Sequence, residues 1–280
     1  MHPILTMARL TFREAVRRRI VLAALLLGIA FLVIYNLGFY FLREDITSSG
    51  GLQAGSMLRS EFFNFIFMAG MYAVNFLAMV MAALITADTL SGEINSGTIQ
   101  AVVTKPVRRA EIVLGKWLGY VGLLSLYLLL MIGGVVLTLW WQAQYRATHV
   151  PAGVALVYLN TLLIMTITLA CSSTFSTLAT GGIVFGLYSL AFIGGWIEQF
   201  GTYAQNQTAI NIGIISSLIM PSEAVWKRAA HEMTSPILRE FGFSPFVSNS
   251  VPSTAMIVYA VVFLLAALGL AVFQFRRRDL

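Results

Sequence analysis

Six uninterrupted apolar runs, at residues 20–42, 62–87, 117–141, 154–171, 178–197 and 253–273, account for most of this chain of 280 residues. Crossing about 30 Å of hydrocarbon takes roughly 20 apolar residues in helical conformation, and each run is of that order. Hydrocarbon offers no water to backbone N–H and C=O groups, so a spanning segment is a helix or a strand of a closed barrel. Barrel strands alternate apolar and polar residues, whereas these runs are continuous. The expected fold is an all-α membrane protein with six transmembrane helices. Composition agrees: 58% of residues are apolar, 11% are charged and the mean hydropathy is +0.82, which leaves a water-soluble domain too little polar surface.

The basic residues set the expected orientation. Arg9, Arg13, Arg17, Arg18 and Arg19 precede the first run. Lys105, Arg108, Arg109 and Lys116 lie between the second and third, and Arg276, Arg277 and Arg278 follow the last. These twelve of the eighteen Lys and Arg residues fall on one side of a six-span chain with five acids, against six bases and seven acids on the other. Basic loops stay in the cytoplasm, so both termini are expected there, as an even number of spans requires. The expected location is the cell (plasma or inner) membrane, with multiple passes. The formal charge of +6 sits beside the spans, where anionic lipid headgroups account for it, and implies no nucleic-acid partner. Cys171 is the single cysteine and has no partner for a disulfide or a metal site, so its reading is packing.

Residues 1–19 form their own pattern. In a helix over 4–19, Ile4, Leu5, Ala8, Phe12, Ala15 and Val16 share one face and Arg9, Arg13 and Arg17 the opposite one. This is the signature of an amphipathic elbow helix lying on the inner membrane surface with its arginines at the headgroups. Residues 20–280 make up the six-span domain. Within it, 172–177 closes a tight cytoplasmic hairpin, and 198–252 forms a long outer connection. The apolar stretch 210–220 is too short to span and ends at Pro221, which predicts a re-entrant or interfacial helix. Trp226 and the phenylalanines at 241 to 246 suit the same interface.

Several strings imitate catalytic motifs. His231-Glu232 begins like a zinc-protease helix, but the second histidine one turn later is Ser235 and the site cannot form. Leu90-Ser91-Gly92-Glu93 resembles the start of the ABC ATPase signature, yet no Gly-x-x-x-x-Gly-Lys-Ser/Thr loop occurs anywhere, so this chain is not expected to hydrolyse ATP. Ser96 has no histidine near it on a span. No enzyme activity, metal or cofactor of the chain's own is expected.

Ionisable residues are nearly missing from the runs, with Asp88 and Glu198 read at span ends, which disfavours a proton-coupled carrier. Amides and hydroxyls do occur inside, and Asn64, Asn75, Asn160 and Thr166 are the candidates for lining a pathway. The plainer reading is interhelical hydrogen bonding, about 1 kcal/mol each. The pairs Gly115/Gly119 and Gly182/Gly186 would allow close helix packing.

One polar passage separates two spans, at 87–116. It carries Glu93, then Gly97 and Thr98, where Thr98 can cap a short helix over 99–103. Lys105-Pro106 ends that helix, and 109–116 restarts one toward the third span. Ile99, Val102 and Val103 are apolar on a cytoplasmic segment, where water penalises them unless a partner covers them. At Glu93-Ile94-Asn95-Ser96-Gly97-Thr98-Ile99-Gln100, at Lys105-Pro106-Val107-Arg108-Arg109-Ala110-Glu111-Ile112 and at Leu114-Gly115-Lys116, the chain resembles the permease subunits of ABC-2 type transporters. Its pattern is nearest to the group that includes the permease of nitrous-oxide-reductase maturation. The elbow helix, the six spans and the long outer connection extend the resemblance over essentially the full length.

The resemblance implies a transmembrane permease that moves a substrate, in the export direction, using ATP hydrolysed by a separate subunit that binds ATP and Mg. It implies that 88–116 is the coupling segment docking on that ATPase, with Glu93, Gly97, Thr98, Ile99, Val102, Val103, Pro106 and Arg109 at the contact. Lys116 falls at the turn back into the membrane. It implies a second permease copy, as a homodimer, with lipids as the remaining partners. Two other classes fit the residues alone: a membrane scaffold recruiting a cytoplasmic partner, and an independent channel or secondary carrier.

Overall fold

The computed structural model describes residues 3–48, 56–92, 108–147, 149–235 and 250–277. Among these residues there are nine α-helices and no strand. They are α1 (Pro3–Val16), α2 (Arg19–Ser48), α3 (Ser56–Ala87), α4 (Arg109–Ala143), α5 (Val150–Ser172), α6 (Thr177–Tyr203), α7 (Gln207–Ile219), α8 (Ser222–Met233) and α9 (Thr254–Arg277). Six of them, α2 to α6 and α9, are long and apolar enough to cross a membrane. Each predicted span falls on one of these helices, the sixth beginning one residue before α9. The largest extension is at α4, which begins at Arg109 rather than 117.

Burial separates the helices by role. In α5 every residue from 163 to 170 is buried, so no face of that stretch meets lipid, and α5 is the axis of the bundle with α3, α4, α6, α8 and α9 around it. A helix apolar all round belongs in such a place. In α2 the reverse holds: Val21 and Phe39 are buried, while Leu26, Ile34, Leu37 and Phe41 are exposed. That degree of apolar exposure suits hydrocarbon and not water.

The elbow helix packs against a span. α1 crosses α4 at Gly115 and Gly119: a Cβ on Gly115 would sit 2.4 Å from the Met7 Cβ, and one on Gly119 2.8 Å from the Ala8 carbonyl oxygen. Thr11 and Ala15 are buried on that seam. Arg9, Arg13 and Arg17 are exposed, as the face pattern predicts, but so are Leu5, Leu10 and Val16. The buried stripe runs through Thr11 and Ala15, whose small side chains are what a glycine seam admits. Gly182 and Gly186 play no such part within the protomer, since a Cβ on either would meet nothing within 4 Å.

The connection after α6 departs most from the sequence reading. Beyond residue 197, α6 runs on to Tyr203, and α7 folds back along it. A Cβ on Gly213 would lie 2.8 Å from the Gly194 carbonyl oxygen. Met220 is extended (φ −143°, ψ 101°) ahead of Pro221, which cannot continue a helix. α7 and α8 therefore meet at a bend of 105°. That bend turns α8 inward against α5 and α6, so Trp226 is 3% exposed and lies edge-on to Tyr72 at 5.4 Å, not at an interface. Residues 241 to 246 lie outside the described residues.

Candidate functional site

The two ends of the bundle differ in chemistry. At the basic end, the last turn of α3 and the residues just after it carry hydroxyls that bond back to α3 carbonyls: Thr86 to the Ala82 oxygen, Thr89 to that of Ile85 at 3.2 Å and Ser91 to that of Ala87 at 3.0 Å. Such back-bonding loosens a helix terminus. The backbone amides of Leu90 and Ser91, buried at 0% and 2% exposure, lie past the last residue of α3 and outside its carbonyl ladder. Both donate instead to the Ser172 hydroxyl at the end of α5, at 3.1 and 3.2 Å.

A second bridge runs alongside. The Thr177 hydroxyl, on the first residue of α6, donates to Asp88 Oδ1 at 2.9 Å and lies 2.9 Å from the Ser91 hydroxyl. Asp88 also faces the Arg18 guanidinium at 3.7 Å, and Arg18 in turn holds Glu14 of α1 at 2.6 Å. Gly92 makes room for this carboxylate, because a Cβ there would come 2.3 Å from Asp88 Oδ1. Residues 88–92 are thus tied to α1, α5 and α6.

On the return leg, the Arg108 amide donates to the Glu111 carboxylate at 2.8 Å, which caps α4 and sets a negative charge in its first turn. Arg109, the one predicted contact residue that lies among the described residues, donates to the Arg276 carbonyl at 3.2 Å and joins the start of α4 to the end of α9. Lys116 is 3% exposed, on the same helix as buried Ile112 and Val113. Glu93, Gly97, Thr98, Ile99, Val102, Val103 and Pro106 lie outside the described residues. The anchors Arg18, Ser172 and Thr177 were not singled out by sequence reasoning, which read 172–177 only as a tight hairpin. Two hydroxyls flanking a short turn were the available signal, and nothing local says what they bond.

A family model described as ABC-2 family transporter protein matches residues 5–280. The chain belongs to that family. It is accordingly a multi-pass membrane protein of the cell membrane and a transmembrane subunit of an ABC transporter, a transport component without an ATPase of its own. ABC-2 permeases work with an ABC ATPase and are typically dimeric. The match reaches the family as a whole and does not assign the narrower nitrous-oxide-reductase group. A search among curated proteins found no match.

Within this ABC-2 permease the four candidate pathway residues are interior. Asn160 donates to Asn75 Oδ1 at 3.0 Å, and Trp117 donates to the Thr166 hydroxyl at 2.9 Å. Asn64 donates to the Tyr145 hydroxyl at 2.9 Å and the Met233 carbonyl at 3.2 Å, and accepts from the Ser235 amide at 3.3 Å. All four are at most 4% exposed. Beyond the spans, burial raises the Tyr145 phenol above its ordinary value; the Asn64 amide pulls it back down and the Glu61 carboxylate adds to the rise.

The end opposite the arginines holds a buried ion pair. Lys227 Nζ lies 2.7 Å from Glu198 Oε2 and donates to the Gly195 carbonyl at 3.3 Å, and the Ser250 hydroxyl donates to Glu198 Oε1. The two charged residues are 4% and 7% exposed. Glu198 was read at a span end; it is instead one turn inside α6, where the charge of α8 meets it.

Proposed function

We propose that the chain is the membrane half of an ABC exporter, in which segment 93–107 docks on a separate ATP-hydrolysing subunit and two copies of the permease enclose the pathway between them. The observation that carries this reading is the fixing of residues 88–92 to three other elements at the basic end. A segment meant to transmit force needs a stiff root, and an unanchored loop would dissipate the displacement. The excess of arginines at this end supports its placement in the cytoplasm. Closure of paired ATPase subunits would displace 93–107 and shift the population of the permease dimer between two arrangements of rigid helices. The chain has no phosphate-binding loop, so ATP and Mg belong to the partner.

The pathway is placed between copies because the interior amides of one protomer bond within it, Asn160 to Asn75 and Asn64 to Tyr145, Met233 and Ser235. Asn64, Asn75, Asn160 and Thr166 then serve cohesion of the protomer more than contact with cargo. Glu93, Gly97 and Thr98, with Ile99, Val102, Val103, Pro106 and Arg109, form the docking face. Replacing Glu93 by Lys and Gly97 by Trp should leave membrane insertion intact while the ATPase activity of the reconstituted complex loses its dependence on the permease. Retention of wild-type coupling by both variants would remove the docking assignment.

A further inference from the structure

Helix ends ordinarily satisfy their stray amides locally, with a capping side chain or water. The residues that follow α3 do not. The amides of Leu90 and Ser91, just past its last residue, cross to a hydroxyl on a helix more than eighty residues away in sequence, and both donors and acceptor are buried. The neighbouring bridge from Thr177 to Asp88 repeats the connection on the next helix. Ser172 is the last residue of α5 and Thr177 the first of α6, so the root of segment 93–107 holds both sides of one short turn. A pull on that root moves α5 and α6 together.

The far end of α6 carries Glu198, which pairs with Lys227 of α8. At about 1.5 Å per residue, α6 is a rod about 40 Å long. Its two ends are fixed by different polar contacts.

We propose that Ser172 and Thr177 are positioning residues for energy coupling: they hold the α5–α6 turn to the root of segment 93–107, so that movement of that segment reaches α6 and, through it, the bent pair α7–α8. This rests on the docking reading above, and it adds a second route into the membrane besides the direct one through α3 and α4. Thr177 is the residue to vary. Its hydroxyl is the only part of it in the bridge, valine keeps its shape, and serine keeps its hydroxyl.

The test is amide hydrogen exchange on the assembled permease–ATPase complex in nanodiscs, with and without ATP, Mg2+ and orthovanadate. In the wild type, trapping is expected to change exchange in peptides covering 88–92 and in those covering 172–179. Thr177→Val is expected to reduce the change at 172–179 at least fivefold while that at 88–92 persists, and Thr177→Ser to restore it. A role in stability alone would move the baseline exchange and leave the nucleotide-dependent difference in place. Ser172→Ala, which removes the other bridge, is measured in parallel and decides the matter if the valine variant does not assemble. An undiminished response at 172–179 in the variants overturns the proposal, as does a serine variant that behaves like valine. A wild-type response at 88–92 without one at 172–179 overturns this proposal alone. No response at either place refutes the docking reading, and this proposal with it.

Discussion

At the scale of residues, the decisive contacts are polar groups brought together from distant parts of the chain. Glu198 and Lys227 form an ion pair with almost no access to solvent, where the cost of removing one partner is an uncompensated buried charge of about 3–5 kcal/mol. Glu198→Gln or Lys227→Met should each lower the thermal unfolding temperature of the detergent-solubilised protein markedly, and the double replacement should recover most of the loss. Equal unfolding temperatures for the single variants and the wild type would show the pair to be dispensable. This contact was only half legible in the sequence. An acid near the end of an apolar run and a lysine in the following polar stretch are both visible, but their meeting depends on the bend at Pro221, whose angle no periodicity encodes. The asparagines were legible as bonded residues and as pathway candidates alike, because a buried amide in a membrane helix serves either purpose until its partners are known.

Elements show the opposite balance. The six spans follow from hydropathy alone, since length and continuity of an apolar run decide whether a helix can cross hydrocarbon. The elbow helix was equally legible from its alternating faces. Its docking on α4 was foreshadowed by the Gly115/Gly119 pair, though not which helix would use it. The same kind of pair at Gly182/Gly186 is left open within the protomer, so small-residue spacing names a surface that permits close approach without naming its occupant. Gly119→Leu should pry α1 off α4, because even a Cβ there meets the Ala8 backbone at 2.8 Å. Amide exchange over residues 3–16 in detergent micelles should then rise at least tenfold while the six spans remain inserted. Unchanged protection would mean that α1 is held by something other than this seam.

For the molecule as a whole, the two ends of the bundle differ in chemistry. The basic end gathers α1, the root of segment 93–107, the α5–α6 turn and the joint between Arg109 and the end of α9 into one bonded assembly. The opposite end closes over a bent helix pair fixed by a buried charge. α5 runs between them, enclosed on all sides over residues 163–170. Family membership extends over nearly the full length, and in the proposed reading the chain receives displacement at one end and answers at the other. The claim on which everything rests is that 93–107 receives it from an ATPase. The most direct measurement is the stoichiometry of the purified complex, with the co-purified subunit identified by mass spectrometry as carrying a phosphate-binding loop and an ABC signature. The account predicts one such ATPase per permease chain, lost when Ile99, Val102 and Val103 are replaced by Asp although the permease still inserts. A correctly inserted permease that purifies without an ATPase, or one that keeps its ATPase after those replacements, would contradict it.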